Sequence, residues 1–144
     1  MIGLSLESVK QSIIDRKKVM DAAARLSNKN LGKIGAFVRR RAKSSIRDRK
    51  RVSEPGRPPS SHTGLIKQFI FFVVEAYAKN VIIGPILLNR RSPSTLPALE
   101  HGGETLIMRH KKPVRISIAA RPFMKPAFDA EAKKSPKLWE DALR

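Results

Sequence analysis

The sequence predicts an α+β fold: two N-terminal helices, an antiparallel sheet of about four strands and a C-terminal helix. Three observations carry this. Apolar residues recur at helical spacing through the first third of the chain, β-branched and aromatic residues take over after Gly64, and a helical pattern returns after Arg121–Pro122. The 144 residues suit a single domain. It is read as a basic helical region (1–51), a Pro-rich loop or arm (52–64) and a sheet with its closing helix (65–144).

The first helix is predicted over 5–27. Ser5 is placed to cap it, and Glu7 and Ser8 lie near the positive end of its dipole. Leu6, Val9, Ile13, Met20 and Ala24 form the apolar stripe, with Lys10, Arg16, Lys17 and Arg25 mostly off it. Asn28 and Asn30 suggest a break. A second helix, about 31–47, carries Leu31, Ile34, Val38 and Ala42 on one face, against the cost of Gly32 and Gly35 at about 1 kcal/mol each.

Residues 52–63, with Pro55, Gly56, Pro58 and Pro59, cannot continue a helix and favour extended or turn geometry. The composition of 65–78 then reads as a strand, and 81–83 as its return, ending at Gly84–Pro85. The run Phe69 to Val74 is apolar at every position, so both faces of that strand need cover, helices on one side and another subunit on the other. Residues 87–97 read as loop, and 96–103 hold a helical turn stopped by Gly102–Gly103. A hairpin is expected from 105–108 and 114–118, where Val114, Ile116 and Ile118 alternate with Arg115 and Ser117. The closing helix, 124–144, carries Phe128, Leu138, Trp139 and Leu143; Pro126 suits its first turn and Pro136 should kink or split it.

Composition narrows the function classes. Thirty Lys and Arg against twelve Asp and Glu give a net charge of +18. Between Lys10 and Arg51 lie 15 basic and three acidic residues, two thirds of that excess. The densest part is Arg39, Arg40, Arg41, Lys43, Arg47, Arg49, Lys50 and Arg51, which suits phosphate contact, an acidic partner surface or a solvated face. Aromatic interleaving of the kind single-strand binders use is missing, since Phe37 is the only aromatic before Gly64; duplex is the better match. A hydrophobic content of 41% is too high for a disordered basic tail. With no cysteine there is neither disulfide nor thiolate chemistry. The apolar runs fall well short of the roughly 20 residues that cross a bilayer, and the start MIGLSLESVK has no signal-peptide pattern. The chain therefore reads as soluble, intracellularly made and without a membrane role.

Catalysis has little to stand on. His62, His101 and His110 are scattered, and no phosphate-loop, dinucleotide or zinc-protease motif occurs. Glu100, His101 and Glu104 read better as a polar turn closed by glycines than as an acid/base cluster. The expectation is a non-enzyme with no metal and no cofactor. Trp139 reads as core packing, with an interface anchor as the alternative.

Four segments together resemble a known family: GRPPSSHTGLIKQFIFF (56–72), VIIGP (81–85), LPALEHGG (96–103) and ARPFMKPAFDA (120–130). Their order and spacing resemble the tailed-bacteriophage neck or tail-completion proteins, the head–tail joining family also described as minor tail components. The resemblance spans roughly half the chain, and His101 stands where that family often has an aromatic. It implies a structural virion protein that forms a ring, a hexamer favoured, at the head–tail junction. Its neighbours would be the portal or adaptor and the tail tube or tail terminator, with duplex DNA passing through the channel. In that reading the basic residues line the channel or meet an acidic partner. Pro55, Gly56, Arg57, Pro58 and Pro59 form a partner-docking loop, and Phe69, Phe71, Leu99 and Phe123 lie at the subunit interface. The competing expectation, from charge alone, is a free, non-specific double-stranded nucleic-acid-binding protein.

Overall fold

The computed structural model describes residues 6–86, 95–110 and 112–140, with side chains from residue 15 onward. The expected cap Ser5, the expected loop over 87–94 and Leu143 lie outside the described residues.

The fold is α+β, but its parts are divided differently from the expectation. Instead of two helices, one continuous helix, α1 (Leu6–Ser45), runs about 60 Å. Asn28 and Asn30 do not break it. Buried Asn30 donates from Nδ2 to the Leu138 carbonyl (3.0 Å), while its Oδ1 has no partner among the described residues. Gly35 is required by packing. A Cβ there would lie 2.5 Å from the Phe72 ring and 3.0 Å from Val81, so the absence of a side chain lets a β-hairpin press against the helix.

After α1 the backbone turns extended. Arg47, expected in the helix, instead pairs as β1 (Arg47–Asp48) in parallel with β2 (Ser60–Ser61). The expected strand over 65–78 begins later, because Gly64 (φ +72°) turns the chain into the short α2 (Leu65–Gln68). Then come β3 (Ile70–Glu75) and β4 (Asn80–Pro85), an antiparallel hairpin in which Phe72 faces Ile83 and Val73 faces Ile82. Next are α3 (Thr95–His101) and a second hairpin, β5 (Gly103–Arg109) with β6 (Lys112–Ile118), which packs chiefly on α3. The closing helix is split, as Pro136 suggested, into α4 (Met124–Ala132) and α5 (Ser135–Glu140). The described strands thus form three separate two-stranded sheets and not one sheet of about four strands, and one of the pairs is parallel.

Val38 and Ala42 of α1, Ile46 just past its end, Ile70 of β3, and Phe123 and Ala127 beside and within α4 make the core, with Ile34, Ile66, Ile83, Leu99 and Met124 packed around it. Two tertiary devices lock it. Glu100 caps α4 from a distance: its carboxylate accepts the backbone N–H groups of Phe123 (2.9 Å), Met124 (3.2 Å) and Lys125 (2.8 Å). Gly102, at φ +79°, closes α3 by donating its N–H to Ala98 (2.8 Å).

Candidate functional site

Successive residues on a helix point about 100° apart, so Arg39, Arg40 and Arg41 cannot act as one patch. Arg39 is half-buried; its Nε donates to the Ile70 carbonyl (2.7 Å) and its guanidinium sits 5.6 Å from the centre of the Phe71 ring. Arg40 lies 5.8 Å from the Phe37 ring. Arg41 donates to Glu131 of α4, and this hydrogen bond holds the Glu131 carboxyl below the usual carboxylate range. Burial, with the charge of Arg39 adding to it, pulls the Lys43 ammonium below its ordinary value.

The cations regroup around Ser44, where three grooves meet. One, of about 420 Å³, is lined by Arg39, Arg40, Lys43 and Lys67. Another, about 530 Å³, gathers Arg47, Arg49, Arg51 and Arg57 under the loop, with Glu54. The third, about 790 Å³, has Ile34, Phe37 and Leu138 on its walls, with Arg40, Arg41, Lys134, Lys137 and Glu131. Some of this charge is already engaged: Lys67 with Asp48 (2.8 Å), Arg57 with Glu54 (3.3 Å) and Lys134 with Glu131 (3.5 Å). Arg49 is bonded to Ser60 Oγ (2.9 Å). Arg40, Lys43, Arg47, Lys50 and Arg51 have no carboxylate within ion-pair reach among the described residues. Such a surface suits several phosphates at once.

Lys67, Lys134 and Lys137 belong to this surface and were not singled out in the sequence. They come from α2, the α4–α5 junction and α5, and only folding brings them beside α1.

The Pro-rich segment is not a free arm. Gly56 donates its N–H to Ala120 (2.7 Å), Arg121 Nε donates to the Ser53 carbonyl (3.0 Å), and Pro59, Ser53 and Ser61 are buried. Pro55, Gly56 and Arg57 are exposed at its tip, and Pro58 is half-buried. The expected interface residues divide in two. Phe123 is only 1% exposed and is the largest fully buried side chain, so it has no surface to offer a neighbour; Leu99 packs against the same core. Phe69 and Phe71 remain accessible in part, edge to face with centroids 6.3 Å apart.

In the polar turn Glu100 caps α4, Glu104 reaches Arg115 (3.5 Å) and His101 is exposed. His62 and His110 are exposed on other segments. Among the described residues no group of three His, Asp or Glu side chains could hold a metal, and no helix is long and apolar enough to cross a membrane. Compared with family models, curated proteins and solved structures, the chain matches none.

Among the apolar surface that the chain leaves uncovered is the outer face of β3–β4. Alternation sends Ile70, Phe72 and Val74 to the side packed on α1, and Phe71 (41% exposed, with the Arg39 guanidinium over its ring), Val73 (62%) and Ile82 (57%) to the other side. The second hairpin adds Leu106, Met108 and Val114 as exposed apolar side chains.

Proposed function

We propose that this chain is a structural protein of the tailed-phage virion. It forms a ring, a hexamer favoured, at the head–tail junction. It joins the portal or adaptor to the tail tube or terminator and lets duplex DNA pass. The observation that carries this reading is the small sheet with one apolar face packed on α1 and the other open, a surface that a repeated copy would cover. The order of motifs between Gly56 and Ala130 supports it. A pinned loop with an exposed tip at 55–57 supplies a rigid docking point, its ordering cost already met within the protomer. No step requires an active site, so the chain acts without catalysis or cofactor.

The cationic grooves favour a second reading, a free and non-specific duplex binder. Salt separates the two. A free binder loses affinity steeply with added salt and loses it again when Arg40, Lys43, Arg47 and Arg51 are neutralised together. A neck protein remains in virions after a salt wash, at a fixed small copy number. The test is quantitative mass spectrometry of salt-washed, purified particles, with electron microscopy of particles made without the protein. The expected result is retention, and unjoined heads and tails in its absence. Absence from washed particles, with normal joining, would overturn the proposal.

A further inference from the structure

We infer that the projecting first half of α1 docks on the open β3–β4 face of a second copy of this chain, so that each protomer's helix closes its neighbour's sheet. The inference rests on the ring reading only in taking the partner to be an identical copy.

An apolar stripe runs along α1, interrupted at Ser27 and Asn28. Ala24, Leu31 and Val38 recur at seven-residue spacing, with Met20 and Ala42 beside them on the same face. Over its second half this stripe is covered, since Val38 and Ala42 are fully buried in the core. Over 15–25 every residue is exposed, Met20 of the stripe by 62%, and Val19, about 100° round the helix from it, by 68%. A helical segment that buries nothing is marginal by propensity alone, so a stripe of this kind calls for a partner.

The two uncovered surfaces cannot meet within one chain. The second half of α1 already occupies the inner face of the sheet, through Gly35 against Phe72 and Val81, and the helix continues away from that contact without a break. Phe71, Val73 and Ile82 point from the opposite face. The dimensions agree. Six-residue strands extend about 20 Å, which about 13 helical residues span, and the exposed stretch of α1 supplies nearly that length. Docking from a second copy repeats outside the packing that the chain already uses inside, giving helix, sheet and helix layers. Because the surfaces differ, the contact runs head to tail and closes into a ring where the rotation permits.

Charge predicts the conditions. Copies carrying +18 each repel, so added salt strengthens this contact, the opposite of its effect on phosphate binding.

The experiment is sedimentation velocity on the full chain at low and raised salt, with Met20→Glu and Val73→Glu, both at exposed positions. Ile82→Glu replaces the sheet variant should its thermal melt differ from the wild type. The wild type is expected to associate, more so at raised salt. Each variant alone is expected to be monomeric, and their equimolar mixture to stop at a one-to-one pair, since only one intact helix–sheet contact remains. Association of either variant alone at the wild-type level, a mixture that forms no pair, or a wild type monomeric at every salt would overturn the inference. Rings formed equally by both variants would sink this contact and leave the neck reading standing.

Discussion

At the scale of single residues, two glycines in one helix have opposite meanings. A Cβ on Gly32 would meet nothing within 4 Å, whereas on Gly35 it would collide with Phe72. Gly32→Ala is therefore expected to stabilise the fold by about 1 kcal/mol, the helix-propensity difference. Gly35→Ala is expected to destabilise it by about 1–3 kcal/mol through overpacking. Urea unfolding measures both, and shifts of the same sign would contradict the close approach of α1 and the β3–β4 hairpin. Glu100 is a third such residue, because its carboxylate occupies three backbone N–H groups at the start of α4. Removing it in Glu100→Ala leaves those donors without their ionised acceptor, at a cost of about 2 kcal/mol. A thermal melt indistinguishable from the wild type would refute this capping role.

At the scale of elements, Glu131 ties α4 to α1 through Arg41 and to the α4–α5 junction through Lys134. Its carboxyl titrates below the ordinary value of 4.5 when folded, so the pair's stabilisation is complete above that value and is lost as pH falls through the lower folded one. Glu131→Gln is expected to lower the unfolding midpoint at neutral pH and to flatten its decline on the acid side. A parallel decline in both proteins would contradict the linkage. Element type was largely legible in the sequence. Alternation marked β6, the apolar run marked β3, paired glycines marked the end of α3, and Pro136 marked the split between α4 and α5. What was illegible depended on partners distant in the chain. The continuity of α1 past Asn30 needs the Leu138 carbonyl, and the separation into small sheets depends on tertiary packing. The burial of Phe123 and the gathering of Lys67, Lys134 and Lys137 beside α1 likewise follow from tertiary placement that no local pattern encodes.

At the scale of the whole molecule, the chain buries one side of a two-sided apolar hairpin and surrounds the end of α1 with cations that exceed their carboxylate partners. Both features are unfavourable in an isolated protein at low salt: the first exposes apolar surface, and the second concentrates like charge. Both would be relieved in the proposed ring, with copies covering the sheet and cations facing polyanionic or acidic neighbours. The most direct measurement is a cryo-electron reconstruction of the intact particle around its head–tail junction. The account predicts a closed ring of this chain there, with Phe71, Val73 and Ile82 covered by an adjacent subunit; a junction built without it would contradict the account.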